Sequence, residues 1–280
     1  MTPHALDDTR QRQALGWLIA IVIAFLALQS WNLTFRWVDD ESWYAMPIPS
    51  VSQGQFNIPT VPGDDRFWPQ PPILTYLATL VEAVSGPITP ALARSVPLVF
   101  GCLTIVAAFA LGRRLGGPMA GVLAAAFVGF DNLVFLAART VRPEMLVAFF
   151  LLWTLTLLVP LLQGQAWRWR QAAGVAVVAA LGLYSHPNGL MIPMTVVVLA
   201  LLAGAMQRRI VFVLAFCVIY GLAMVPFVAW IAYYDMASGF ESFRGHWFKR
   251  YARQAGGGSR WDVLLRLLTD EVGGRYRRNV

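Results

Sequence analysis

Long apolar stretches separated by short polar breaks run through the chain. Apolar residues dominate about 14–34, 91–112, 118–137, 143–162, 172–205 and 210–233. Most of these approach the ~20 residues that a helix needs to cross a hydrocarbon layer. The stretch 172–205 is longer, and Ser185-His186-Pro187-Asn188-Gly189 breaks it. Pro and Gly punctuate helices, so this stretch reads as two short spans turning at that point. One apolar stretch, 71–85, is short for a span and carries Glu82. Between the apolar stretches lie a polar start (1–13), a Pro-rich loop (35–70) and a polar tail (234–280).

The arginines decide whether 71–85 crosses. Arg113 and Arg114 follow the second span, Arg168 and Arg170 the fourth, Arg208 and Arg209 the broken stretch. If 71–85 lies along the surface as an interfacial helix, these pairs and Arg10/Arg12 all fall on the cytoplasmic side, as basic loops prefer. If it crosses, the later pairs fall outside. The pattern therefore predicts an all-α polytopic membrane protein of about seven spans, with a juxtamembrane helix in the first outer loop. Residues 1–233 form the membrane module, with its outer loop at 35–90. Residues 234–280 form a basic tail on the outer face. Its Ser259-x-x-Asp262 with Trp261, Leu264, Leu265 and Leu268 reads as a capped amphipathic helix.

Composition agrees. Hydrophobic residues make up 58% and charged residues 13%, about half the charge of a soluble domain. The net charge of +7 fits cytoplasmic loops and lipid phosphates and does not call for nucleic acid. Cys102 and Cys217 sit inside apolar runs and read as small core residues. No small-residue cleavage site follows the first span, so it reads as retained. The expected setting is a bacterial inner membrane, multi-pass, with a cytoplasmic N-terminus. Gly112-x-x-x-Gly116 and Gly117-x-x-x-Gly121 straddle the inner loop between spans two and three and would let helices approach closely.

The predicted topology gathers the chemistry-bearing residues on the outer face. Asp39-Asp40-Glu41 stand together after the first span, where hydrocarbon would not tolerate them. They read either as a solvated rim or as a site where a carboxylate takes a proton or holds a cation. Arg139, Arg142 and Glu144 flank the start of the fourth span, with Glu144 near the positive end of its helix. They read as snorkelling arginines with one compensating acid, or as the floor of a polar pocket. His186 reads as a structural hydrogen bonder or as a ligand for metal or phosphate. Asp131, near the outer interface, reads as the partner of a neighbouring arginine. The clustered acids and His186 would accept a divalent cation, but no spacing matches a metal motif.

In order and spacing these pieces resemble the family 39 glycosyltransferases of the GT-C superfamily, which include protein O-mannosyltransferases and aminoarabinose transferases. The residues that carry the resemblance are Asp40-Glu41-x-x-Tyr44-Ala45, Gln70-Pro71-Pro72-Ile73, Leu111-Gly112-Arg113-Arg114-Leu115-Gly116, and Ala138-Arg139-x-x-Arg142-Pro143-Glu144-x-Leu146. The resemblance covers about 10–235. It implies a polyprenyl-phosphate-linked sugar donor, a glycan, lipid or protein acceptor, and chemistry on the outer face. It also implies that Asp40, with Glu41 beside it, is the base that activates the acceptor. Asp39, Tyr44, Arg139, Arg142, Glu144 and His186 are then the candidate contacts to substrate and lipid phosphate. Pro69-Gln70 stands where aminoarabinose transferases often carry Glu-Lys, which weakens that assignment. Family members run to roughly twice this length, so the chain also reads as a fragment or as a module completed by another chain. Two further readings stand beside the enzyme: a non-catalytic membrane module, and a transporter, against which the nearly apolar mid-span positions speak.

Overall fold

A computed structural model describes residues 3–31, 33–37, 41–45, 47–52, 73–166, 168–202 and 206–235. Among these, the regular structure is helical throughout. In chain order the helices are α1 (Pro3–Ser30), α2 (Glu41–Ala45), α3 (Ile48–Ser52), α4 (Ile73–Ser85), α5 (Pro90–Gly129), α6 (Asn132–Ala138), α7 (Glu144–Leu162), α8 (Trp169–Ser185), the 3-10 turn η1 (Pro187–Leu190), α9 (Met191–Leu202) and α10 (Met206–Asp235). Four stretches are long and apolar enough to cross a membrane: Thr9–Ser30, Pro90–Gly129, Glu144–Leu162 and Ile210–Ala232. This is a polytopic all-α membrane protein.

The 40-residue α5 is a hairpin. Gly116 (φ −141°, ψ 15°) and Gly117 (φ 84°, ψ −175°) leave helical geometry. The second of these conformations is open to glycine alone. Pro118 then starts the return arm, where its missing N–H costs nothing. The arms touch backbone to backbone. A Cβ on Gly112 would lie 2.7 Å from the Ala120 carbonyl, and one on Gly121 would lie 2.8 Å from the Phe109 carbonyl. The expected glycine pairs thus act within one hairpin, one glycine on each arm. The return arm ends at Gly129, earlier than the expected 137. Asp131 breaks the helix and caps α6, its carboxylate accepting from Leu133 N at 2.9 Å and Val134 N at 3.0 Å. The expected pairing of Asp131 with an arginine is therefore replaced by a helix cap.

Small residues pack the remaining helices. On α8 the buried positions Ala172, Val175, Ala176, Ala179, Ala180 and Leu183 recur at helical spacing, which lets α7 come close. The turn after Ser185 folds α9 back on α8 so tightly that a Cβ on Gly189 would meet the Gly182 carbonyl. The break at His186-Pro187-Asn188-Gly189 falls where the sequence predicts it. α4 has 13 residues, about 20 Å of helix at 1.5 Å per residue, too short to cross. It buries Leu74, Thr75 and Ala78 against its neighbours and exposes Leu80 and Val84.

By contacts the chain divides into two compact units, Met1–Phe56 with Gln70–Pro226, and Asn57–Pro69 with Phe227–Val280. Of the second, the described residues are the end of α10, where Phe227 stacks on Trp230. The expected tail helix at 259–268 lies outside the described residues.

Within the first unit, helix directions sort the charges. The end of α1, the start of α5, the start of α7 and the end of α8 share one end of the bundle. Thr104 Oγ1 donates to Met145 O and Arg114 Nη1 donates to Thr156 O, so the first arm of α5 runs parallel to α7. Gly182 lies on Phe150 and Gly174 on Leu157, so α8 runs antiparallel to α7. Arg113, Arg114, Arg168 and Arg170 fall at the opposite end, with the start of α1.

Prolines leave helix carbonyls without partners, and side chains from neighbouring helices fill the gaps. Pro160 has no N–H for the Thr156 carbonyl four residues back. Arg114 donates to that carbonyl, and Gln171 Nε2 adds a further bond from α8 to the neighbouring Leu157 carbonyl at 2.9 Å. The first arm of α5 ends at Gly116, which leaves the Arg114 carbonyl among its last-turn acceptors, and Gln163 Nε2 reaches it at 3.1 Å. The hairpin and α7 thus satisfy each other's open helix carbonyls. We expect Arg114→Ala to destabilise the protein by about 1–3 kcal/mol, the cost of an unsatisfied buried acceptor. In a Pro160→Ala background, where residue 160 again supplies an N–H, the same change should cost much less. A double-mutant cycle by thermal unfolding in detergent reads the difference.

Candidate functional site

The site grows from a single buried ion pair. Thr89 caps α5, its Oγ1 accepting from Leu92 N at 3.3 Å, and Pro90 follows at the first position. Arg94 then falls on the stripe Arg94, Pro97, Gly101, Thr104, Ala108, which the bundle buries. Both Arg94 and Glu41 are fully buried. Arg94 Nε donates to Glu41 Oε1 at 2.9 Å and Nη2 donates to Oε2 at 2.6 Å. The fork of the guanidinium matches the carboxylate at two points, the strong geometry for such a pair.

Every remaining N–H of Arg94 is used. Nη1 donates to Leu33 O at 2.8 Å and Phe35 O at 2.6 Å, and Nη2 donates to Arg36 O at 3.1 Å. An arginine has five such donors, and all five have acceptors here. The Phe35 ring lies 3.6 Å from the guanidinium carbon, close enough for a cation–π contact. Glu41 Oε1 also accepts from Val141 N at 2.7 Å. One residue pair therefore ties together the segment after α1, the head of α5, the start of α2 and the turn before α7.

The arginines expected near the fourth span divide in role. Arg139 Nη2 donates to Trp31 O at 2.6 Å, and its guanidinium faces the rings of Phe135 and Phe35 at 5.4 and 5.8 Å. It holds the exit of α1 and shares the Phe35 ring with Arg94. Arg142 pairs with Glu144 at 2.8 Å, both about one-third exposed. Pro143 is the N-cap of α7 and Glu144 its first residue, so the carboxylate sits at the favourable end of the helix dipole. The ion pair is common to both readings of Arg142 and Glu144, a compensated arginine and a pocket floor.

His186 ends α8 and caps η1, its Nδ1 accepting from Asn188 N at 3.1 Å. An accepting Nδ1 leaves the proton of a neutral ring on Nε2. Tyr44 is half-buried and packs on the core beside Trp37. Asp39 and Asp40 lie outside the described residues, as do Asp64-Asp65-Arg66 and Gln70-Pro71-Pro72. Among the described residues, no group of three or more His, Cys, Asp or Glu side chains converges.

The structure thus brings Glu41, Arg139, Arg142, Glu144 and His186 to one end of the bundle, while Glu41 joins Arg94, a residue that sequence reasoning passed over. Two signals pointed to it. Arg94 is a lone cation inside an apolar span, and it shares a helix face with glycine and other small residues that belong against another helix.

Because the pair is buried, we expect Glu41→Ala to cost about 3–5 kcal/mol, the penalty of leaving a buried cation unpaired. Arg94→Lys should rescue little, since a lysine brings three donors in place of a planar five-donor fork. Loss of folded protein in a detergent thermal-shift assay reads both.

The profile of one family, described as dolichyl-phosphate-mannose-protein mannosyltransferase, matches residues 69–233, more than half of the chain. No curated protein and no solved structure matches it.

Proposed function

The chain belongs to the dolichyl-phosphate-mannose-protein mannosyltransferase family, membrane glycosyltransferases of the GT-C type, and from that premise we propose a specific reaction for it. It moves a sugar from a polyprenyl-phosphate donor to a hydroxyl acceptor on the outer face of a bacterial inner membrane. The N-terminus is cytoplasmic. That orientation is supported by Arg113, Arg114, Arg168 and Arg170 at the end of the bundle opposite the acidic stretch, as basic loops prefer the cytoplasm.

In this reading the acceptor oxygen attacks the anomeric carbon as the bond to the phosphate oxygen breaks. The lipid phosphate leaves with the electron pair, and the hydroxyl proton passes to a carboxylate. Of the two acids first considered as bases, Asp40 takes that role. Glu41, its neighbour in sequence, has both oxygens engaged by Arg94 and one also by Val141 N, so it suits anchoring the segment better than accepting a proton. Negative charge develops on the departing phosphate, and guanidinium groups stabilise it best. Arg142, partly exposed, is proposed for that contact, with Arg139 behind it and Glu144 setting its orientation. Asp39, Tyr44 and His186 complete the substrate contacts. A divalent cation remains an open element of the donor site, for which Asp39 and Asp40 would be the acids.

The observation that carries the proposal is the Glu41–Arg94 clamp. It spends a buried ion pair on fixing Leu33, Phe35, Arg36 and Glu41, which flank Asp40 in sequence, at the end of the bundle that holds Arg139 and Arg142. The test is restoration of a deletion strain with wild type or Asp40→Asn at equal membrane levels, read by mass spectrometry of envelope glycans. Wild type should restore a lost sugar. Asp40→Asn should lower the transfer rate by about 10²–10⁴-fold, the usual worth of a general base. Equal restoration by both would remove Asp40 from the mechanism.

A further inference from the structure

The end of the bundle away from the Glu41–Arg94 clamp carries charge that the mechanism above does not use. Arg113 lies in the last turn of the first arm of α5, Arg168 is the N-cap of α8 and Arg170 is in its first turn. All three are exposed. We propose that these arginines form a binding surface for the headgroup of an anionic phospholipid, in the leaflet that meets this end of the bundle. In the orientation proposed above, that is the cytoplasmic leaflet.

Side-chain bonds bring the three together. Gln163 Nε2, just after α7, donates to Arg114 O at 3.1 Å. Gln171 Nε2, in the first turn of α8, donates to Leu157 O on α7 at 2.9 Å. Arg113 and Arg170 are each the sequence neighbour of a residue in these bonds, so both lie beside the last turns of α7.

Charge selects an anion. Of the acids whose side chains are described, Glu41, Glu82, Asp131 and Glu144, none sits at this end. The sequence sets Asp7 and Asp8 against Arg10 and Arg12 on α1, and Arg114 is turned to the Thr156 carbonyl. That leaves Arg113, Arg168 and Arg170 without a compensating acid among the described residues. A guanidinium grips a phosphate at two points, and each arginine near an anionic membrane surface strengthens binding by a factor of about five.

Exposed apolar residues select a lipid. Trp169 is 67% exposed and Leu115 62%, and both stand among the arginines in sequence. The Arg170 guanidinium lies 5.8 Å from the Trp169 ring, within reach of a cation–π contact. Tryptophan belongs to the headgroup layer, where its ring meets both acyl chains and water. Cations interleaved with exposed apolar side chains suit a phosphate joined to hydrocarbon. A water-borne polyanion would meet the cations but has no use for Trp169 and Leu115. A headgroup held by Arg113 together with Arg168 and Arg170 ties the α5 hairpin to α8 at the end of α7, where Arg114 and Gln163 already bond.

The test uses the full chain in neutral detergent, with dioleoyl phosphatidylglycerol and dioleoyl phosphatidylcholine as probes. Native mass spectrometry counts the lipid retained. Wild type should prefer the anionic lipid by about a hundredfold, roughly fivefold for each arginine. Arg113→Gln and Arg170→Gln should each lower that preference about fivefold, and the triple variant that adds Arg168→Gln should lose it. Lysine at all three positions should keep most of it, since the attraction is mainly that of charge. The single variants decide the matter even where the triple variant does not fold. Equal retention of both lipids by wild type overturns the proposal. So does an undiminished preference in both single variants, which would put the anionic lipid elsewhere. Glycerol 3-phosphate is the last arm. Phosphatidylglycerol should raise the melting temperature of wild type and glycerol 3-phosphate should not; equal stabilisation by the two would make this a site for free phosphate and overturn the lipid assignment.

Discussion

Everything at the polar end of this bundle hangs on the Glu41–Arg94 pair. Two full charges are buried at the edge of a hydrocarbon layer, where each alone would cost several kcal/mol. They are tolerated because every donor of Arg94 is answered, two by Glu41 and three by the carbonyls of Leu33, Phe35 and Arg36. That completeness has a structural consequence. The described backbone at Leu33, Phe35 and Arg36 is held by the guanidinium, which serves as its template. Val141 N, bonded to the other side of Glu41, brings in the turn before α7.

Below that end the problem is different. Between apolar helices in lipid, burial of hydrocarbon gives little drive to associate, so close contact must do the work. The chain solves this with glycine and alanine, at the α5 hairpin and along α8. It also carries prolines at 97, 118, 160 and 226 within helices, and Arg114 fills the carbonyl that Pro160 abandons. Gln163, Gln171 and Tyr184 add further side-chain bonds to helix carbonyls. Polar side chains at the basic end therefore do more than face headgroups. Arg114 is part of the hairpin–α7 joint.

The two ends thus divide their labour. One is a rigid joint made of repaired helix breaks. The other is a clamp that holds Glu41 and the backbone after α1 at the end that carries Arg139 and Arg142.

The sequence by itself determined the class and the order of the apolar helices. Hydropathy and the arginine pairs predict a multi-pass helical protein, the short helix at 71–85, and the turn at His186-Pro187-Asn188-Gly189. These follow from local rules, because lipid forces each segment to satisfy its own backbone. Only the tertiary structure decided which charges meet. Glu41 looked like half of a catalytic pair, and Arg94 looked like nothing in particular, because their partnership joins residues 53 positions apart. Arg114 looked like a topology signal, because an abandoned carbonyl on another helix is invisible in the chain's own pattern. Asp131 looked like a salt-bridge partner because a helix cap depends on where the preceding helix stops, here at Gly129. Composition and period are local quantities. The pairing of a buried charge is settled by which helices pack together, and a linear sequence carries that only once it has folded.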